Sequence, residues 1–571
     1  MDMVNFFGML RYAFTLVNPF ITAACVILLL VLLVLAVLHH KWRDDDRMLS
    51  RWRVFALLPL VLGAVHFFLF VFPHVHEKLG LYIWVYLIAF GGFFPMLLAK
   101  RRFGYRYFAA LTAICATGIF AIYIFLSPMI PRVAFLFDKS YTETFKGIVT
   151  ELDRNYILKE WKGVDLSALE TKYLPRIEKA EQEQNQMEFI DALEDFGAEL
   201  HDGHIWVSYS HEVDESQSGY KEHEYGLGLI PLDSGEVIAV CTTEEVNQLG
   251  IGDGTVITKW NGKPVKQAAQ EDVRDQGCPV QENEDILRVS NLAAVGGDTV
   301  EVAFRDKSGR EQTAVLKDLG EMHTQQEMAA AFAHKSGEDG NDENYSTKML
   351  NDTCGYLRVN SENTDTIHDL AGFWSGNHKF AREMFRKKLR DLKSQGMETL
   401  VIDLRANGGG FHEVGIALAE LLTDQDFCGY GLGIRRNGQY HCVAEHGIHG
   451  DGEFADLKVV ALTNFWCESA GDGTALYLSR LPNVTLAGIT NPCGCGQLTG
   501  GDINCGFVSF SYPIGLCLNE SGEPNIDTGA DRISRNPVEE KIPLDKDAAM
   551  QIFCDKEDYE LSWALDYLGR Q

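Results

Sequence analysis

Asp403-Leu404-Arg405-Ala406-Asn407-Gly408-Gly409-Gly410 and, further along, Asn464-Phe465-Trp466-Cys467-Glu468-Ser469-Ala470-Gly471 decide how this chain is read. The apolar run Thr399–Leu404 predicts a buried strand that ends in a glycine turn. A second apolar run, Lys458–Thr463, predicts another buried strand, which delivers Ser469 to the mouth of a helix. Three glycines in a row weaken a fold unless the backbone has to come close to something. A glycine turn also offers free backbone N–H groups. A serine on a strand-to-helix elbow is a candidate nucleophile, so the two stretches together point to acyl transfer, most simply peptide hydrolysis.

Around these stretches the chain alternates strand and helix. Gly355–Val359, a helix near His378–Ser394, Thr399–Leu404, a helix near Glu413–Leu422, Lys458–Thr463 and a helix after Ser469 predict an α/β layer with a mainly parallel sheet. Upstream, Tyr225–Leu319 reads as a small β-domain. It opens with Tyr225-Gly226-Leu227-Gly228-Leu229 and continues through the turns Gly250–Gly254 and Asn261–Lys263. Before it, from Arg132 to about His211, the pattern is helical, with amphipathic runs near Thr144–Ile157 and Gln182–Leu200. That region closes on Glu199-Leu200-His201-Asp202-Gly203-His204, a helix end and glycine turn before a short strand. The segment Gly337–Asn344, rich in Gly, Asp and Asn, reads as a loop between the β-domain and the α/β layer.

The first 131 residues differ from the rest. They carry four apolar runs, Val17–Leu38, Val54–Phe72, Leu81–Leu98 and Phe108–Ile130, each near the roughly 20 residues that cross a bilayer. Basic residues gather in two loops, at Lys41, Arg43, Arg47, Arg51 and Arg53, and at Lys100, Arg101, Arg102 and Arg106. The positive-inside rule puts both loops in the cytoplasm and the large C-terminal part outside it. The expectation is therefore a four-span membrane bundle over residues 1–131, an integral multi-pass protein of the cell membrane, and a lipid bilayer as partner. If one run is instead re-entrant or buried, the C-terminal part falls on the cytoplasmic side.

A formal charge of -29 argues against nucleic acid as a partner. Eleven of the thirteen cysteines lie outside the apolar runs, an odd number that leaves at least one thiol free or bonded between molecules. Cys493, Cys495, Cys505 and Cys517 crowd the region after the serine elbow. Disulfides are open to them in an oxidising compartment. The Cys-x-Cys spacing does not match the usual zinc spacing, so no metal is expected.

From Phe145 to its end, the chain resembles the tail-specific, or carboxy-terminal processing, serine peptidases and their tricorn-core relatives. Asp403–Gly410 is similar to that family's Asp-Leu-Arg-Asn-Asn-x-Gly-Gly signature, with Ala406 in place of one Asn. Asn464–Gly471 lines up with its nucleophile elbow, which puts Ser469 at the nucleophile position. The β-domain resembles a PDZ domain. The resemblance implies four regions: the span region 1–131, a helical part 132–221, a PDZ-like domain 222–319 and an α/β protease core 320–571 with a ClpP/crotonase-like layer. It implies no cofactor.

The sequence departs from the family pattern after the elbow. Many members place a base lysine in a Gly-x-Thr-x-Gly-Lys-Gly-like turn. Here that turn is Gly488-Ile489-Thr490-Asn491-Pro492-Cys493-Gly494-Cys495-Gly496, with Gly494 in the lysine's place, and no lysine occurs between Lys458 and Lys541. The tricorn-type relatives use a histidine ahead of the PDZ position, which His204 matches. Imidazole suits general-base work near neutral pH. His412, just after the glycine turn, is the rival base, and a purely structural role for His204 is the other reading of that residue. In the same pattern an acidic residue near the C-terminal strands orients the histidine; Asp527 is that candidate, or else a turn residue. The resemblance further implies an oxyanion hole built from the N–H groups of Ala470 and Gly409, with Gly408 next in line. Tyr225, Gly226, Leu227, Gly228 and Leu229 would hold a substrate's terminal carboxylate. Glu468 and Asp472 are expected to face away or to serve as helix-end charges.

The sequence-based expectation is a membrane-anchored, extracytoplasmic serine endopeptidase that uses a His base. Its partners would be protein or peptide substrates, recognised through a free C-terminus. The alternatives are a catalytically inactive PDZ-bearing binding or sensor protein, and a thiol enzyme using Cys467 or Cys495.

Overall fold

The computed structural model describes residues 132–136, 139–320, 323–333, 343–365, 368–369, 372–373, 376–436 and 439–570. The chain divides into two compact units, residues 1–139 with 502–506, and residues 140–501 with 507–571. The described part of the first is the strand Arg132–Phe135 with its flank, where the Leu136 N–H donates to the Asn504 carbonyl at 2.9 Å. All that follows concerns the second unit.

One expectation is corrected here. Among the described residues no helix is long and apolar enough to cross a membrane. The four apolar runs assigned to spans lie outside the described residues. The four-span bundle, the integral multi-pass location and the bilayer as partner are therefore not retained.

The central sheet has six strands, ordered Glu540–Lys541, Val484–Gly488, Lys458–Leu462, Thr399–Asp403, Cys354–Val359 and Tyr345–Met349. All pairings are parallel except that of the edge strand Tyr345–Met349. The inner strands Thr399–Asp403 and Lys458–Leu462 are apolar almost throughout because both faces are covered, as a parallel sheet requires. Leu400, Ile402, Val459 and Ala461 face one layer with Phe385, Leu389, Ile416, Leu418 and Tyr477, from the helices Lys379–Ser394, His412–Leu422 and Ala470–Ser479. Val401, Val460 and Leu462 face the other layer, with Ile552 and Leu568 from the C-terminal helices and Ile230 and Val240 from the β-domain. Side chains along a strand alternate faces, so one apolar run serves both layers.

Residues 228–317 form a second sheet, ordered Gly228–Pro231, Val237–Val240, Val256–Trp260, Thr299–Arg305 and Glu311–Lys317, with Lys263–Pro264 paired to Val256–Trp260. Its own core gathers Tyr225, Leu227, Leu229, Trp260, Val302 and Leu316. The helices Tyr141–Asn155, Leu166–Glu183 and Gln186–Ala198 precede it and lead into the turn that carries His204.

The register explains why two distant motifs meet. Thr399–Asp403 and Lys458–Leu462 are adjacent and in parallel register, with Asp403 opposite Leu462. Their carboxyl ends therefore open at the same edge, where ligands bind in open α/β sheets.

Candidate active site

Both motifs leave the sheet through strained backbone. Ser469 has φ 56° and ψ −127°, a conformation that L-residues rarely adopt, directly before the helix Ala470–Ser479. Ala406 also has positive φ, 54°. Asn464 ties the two turns together: its Oδ1 accepts the Ala406 N–H at 2.9 Å and the Trp466 N–H at 3.2 Å. The Glu468 N–H donates to the Asn407 carbonyl at 2.9 Å. A Cβ at Gly409 (φ 81°) would lie 2.6 Å from Ser469 Cβ and 2.9 Å from the Ala470 nitrogen, so only glycine allows this approach.

Buried charge holds the glycine turn. Asp403 takes Arg405 through both carboxylate oxygens, and also Arg358 and the Tyr356 hydroxyl. These cations keep the Asp403 carboxyl far below the usual range despite full burial. Arg405 reaches on to Asp558 and Glu560. The Arg of the motif is thus structural. On the far side, Glu362 accepts Asn407 Nδ2 and Thr474 Oγ1, both at 2.9 Å, and burial pushes its carboxyl up to about 7. In the turn itself the Gly409 N–H donates to Asn407 Oδ1 at 2.9 Å. The N–H groups of Gly408 and Ala470 donate to no other described residue.

The candidate bases are placed differently. His412 is buried, with Nδ1 3.0 Å from the Tyr477 hydroxyl and Nε2 3.3 Å from the Gly496 carbonyl. Both ring nitrogens are engaged, so His412 packs as a core residue behind the elbow helix. His204 is buried, and its Nδ1 has no hydrogen-bond partner. Its backbone N–H donates to Asp202 Oδ1 at 2.9 Å, and Asp202 Oδ2 accepts the Tyr156 hydroxyl at 2.8 Å. The Gly203 position before it presses on Cys495 Sγ, where a Cβ would come within 2.6 Å, and Cys495 O accepts the Ser469 N–H at 2.9 Å. The His204 turn and the serine elbow are thus joined through Cys495. No hydrogen bond links Ser469 Oγ to His204 in this structure. Burial lowers the His204 pKa, against the opposing pull of Asp202.

Asp527 is fully buried. One oxygen accepts the Gly496 N–H at 3.1 Å and the Gln497 amide, and the other has no partner. Burial, with Asp202 next, raises its carboxyl to about 7. Lys162, also buried, donates to the His201 and Thr528 carbonyls at 2.9 and 3.2 Å. Sequence reasoning missed Lys162 and Tyr156, which carry no motif signal. Asp202, Asn407 and Asn464 stood inside the quoted motifs without a role.

Asp472 does not face away. It is buried in the first turn of the serine helix, accepts the Gly494 N–H at 2.8 Å and Asn536 Nδ2 at 2.9 Å, and is raised by burial to about 7. Gly494, at the family's lysine position, has φ 83°, and a Cβ there would lie 2.8 Å from Val280. No side chain fits at that point. Cys467 is fully buried, and burial holds its thiol well above the usual range, which removes it as a nucleophile.

The β-domain loop is closed. The Gly226 N–H donates to Glu224 Oε1 at 2.7 Å, and Glu224 Oε2 accepts the Thr324 N–H at 2.9 Å. Met328, on the helix His323–Ala333, covers Gly228, where a Cβ would overlap its sulfur at 2.0 Å. Tyr225, Leu227 and Leu229 point into the domain core.

The strand order, strained serine and facing glycine turn make up a candidate serine-peptidase site. Residues 353–528 match the model of peptidase family S41, a stretch that contains the glycine turn, the elbow and Asp527. This stretch carries the chain's likeness to that peptidase family. A solved structure of mature CPAF complexed with lactacystin is similar over 76% of this chain and 99% of that one, with a TM-score of 0.50 and 13% identity. A second, of mature CPAF, is similar over 73% and 95%, also at TM-score 0.50 and 13% identity. The photosystem II D1 C-terminal processing protease is similar over 72% and 94%, at TM-score 0.34 and 17% identity. At 13% identity the likeness to the two CPAF structures is one of fold alone. No curated protein matches the chain.

Proposed function

We propose that this peptidase cleaves protein or peptide chains with Ser469 as nucleophile and His204, in place of a lysine, as base. The observation that carries the reading is the strained Ser469 backbone, pressed against Gly409 and beside an unengaged Ala470 N–H. Strain of this kind costs on the order of 1–3 kcal/mol and persists where the surroundings impose it.

Ser469 Oγ attacks the scissile carbonyl while His204 takes its proton. The oxyanion is held by the Ala470 N–H and the glycine turn. At rest the Gly409 N–H is bound to Asn407, so Gly409 contributes once substrate displaces that bond, with the free Gly408 N–H beside it. Collapse breaks the C–N bond, and the proton passes from His204 to the leaving amine. Water then releases the acyl group by the same route. His204 is neutral near pH 7, as a base must be, because burial disfavours its charged form. Asp527, with one free oxygen, is the orienting acid of this reading.

The β-domain serves as a PDZ-like module for a substrate's free C-terminus. Glu224 and Met328 must yield before Tyr225–Leu229 can receive one. A serine-directed fluorophosphonate tests the function. The wild type should label and Ser469→Ala should not; an unlabelled wild type would defeat the proposal.

A further inference from the structure

Cys493 and Cys495 have no part in the chemistry above, yet they lie against it. Cys495 Sγ donates to Cys493 Sγ at 3.4 Å. With a Glu468 carboxylate oxygen, the two sulfurs form a group whose atoms all lie within 4.8 Å of one another. We infer that Glu468, Cys493 and Cys495 bind a soft divalent cation of the zinc class beside Ser469, and that its binding switches the peptidase off.

The geometry is close to what such an ion needs. Tetrahedral zinc with Zn–S of about 2.3 Å holds its sulfurs roughly 3.7 Å apart, a few tenths of an ångström wider than here. The Cys-x-Cys spacing, which counts against zinc in an ordinary knuckle, works because Gly494 takes φ 83° between the two cysteines. The backbone is already fixed. The Gly494 N–H is held by Asp472 and the Cys493 N–H by the Cys467 carbonyl at 3.0 Å. Such outer contacts orient ligands. Two thiolates and one carboxylate suit zinc or cobalt, whereas magnesium and calcium prefer oxygen alone.

Inhibition follows from position. Glu468 directly precedes the nucleophile, and the Cys495 carbonyl holds the Ser469 N–H. Gly203, one residue before His204, lies against both sulfurs closely enough that a Cβ there would come within 2.6 Å of Cys495 Sγ and 3.1 Å of Cys493 Sγ. Spreading the sulfurs around an ion pushes on that turn and on the serine at once. The inhibition rests on the Ser469 reading; the binding does not.

The test titrates the reduced full-length protein with Co²⁺, following the thiolate-to-cobalt charge-transfer band, and with Zn²⁺, following peptide hydrolysis. One Co²⁺ per chain is expected in the wild type and in Ser469→Ala. Binding should fall by about 100-fold in Cys493→Ser and by about tenfold in Glu468→Gln, which keeps every thiol. Zn²⁺ should suppress wild-type hydrolysis reversibly and leave Cys493→Ser insensitive. A band unchanged in both variants would overturn the site. A band lost in the variants, with zinc-insensitive wild-type hydrolysis, would overturn the inhibition. A wild type that never hydrolyses peptide defeats the peptidase reading, while the band still decides the site.

Discussion

Two glycine loops in this protein carry similar sequence signals and have opposite outcomes. In Asn407–Gly410 the turn faces Ser469, and the Gly408 and Ala470 N–H groups remain free of other described residues. In Tyr225–Leu229 the chain fills its own loop. Glu224 takes the Gly226 N–H and Met328 covers Gly228. Glycine spacing says that backbone comes close to something; it does not say whether that something is a ligand or the protein itself. What separates the loops is their support. Asp403, Arg405, Arg358 and Glu362 hold the first open from behind, whereas a carboxylate and a methionine plug the second from in front.

The difference can be broken from either side. Ser469→Ala should abolish hydrolysis, a loss of at least about 10³-fold in kcat at unchanged stability, read by peptide turnover and thermal melting. Gly409→Ala should cost about 10²-fold or more, because its Cβ would meet Ser469 and the Ala470 nitrogen. Arg405→Ala leaves buried Asp403 with Arg358 as its one remaining cation and strips Glu560 of its buried partner, and should lower stability by about 3–5 kcal/mol in denaturant titration.

Glu362→Gln tests the support through pH. The folded carboxyl titrates at about 7, against 4.5 ordinarily. Between those values the folded chain keeps a proton that the unfolded chain has lost, so wild-type stability falls as pH rises through that window. Glutamine mimics the protonated form and should remove on the order of 2–3 kcal/mol of that fall. The smallest effect belongs to the plugged loop. Met328→Ala should leave hydrolysis of short peptides within about twofold while strengthening binding of peptides that end in a free carboxylate, measured by fluorescence anisotropy.

The core was legible because its strands are buried on both faces and so appear as unbroken apolar runs. The structure's strands Thr399–Asp403 and Lys458–Leu462, and the helix from Ala470, fall where the sequence places them. The elbow was legible because Asn464–Gly471 follows an apolar strand, whereas its backbone, φ 56° with ψ −127° at Ser469, shows only in the structure. What the sequence hid depends on chain passing through space. Lys162 and Tyr156 reach the His204 turn from far along the chain, with |i−j| of 39 for Lys162 and His201 and 46 for Tyr156 and Asp202. Asp472 looked like a helix-end charge because its partners Gly494 and Asn536 are remote. The nearness of Glu468 to Cys493 and Cys495 was hidden because the elbow and the turn after it meet only in space. The apolar runs of residues 1–131 suggested a membrane bundle, an expectation set aside because no described helix is long and apolar enough to span.

The most direct test of the central claim is the rate of fluorophosphonate acylation of Ser469 across pH, comparing wild type with His204→Ala. Intact mass would confirm the labelled residue. The account predicts a rate that rises with pH as His204 loses its proton, and a fall of at least about 10²-fold in His204→Ala with that rise abolished. Acylation of His204→Ala at the wild-type rate, with the same pH profile, would contradict it.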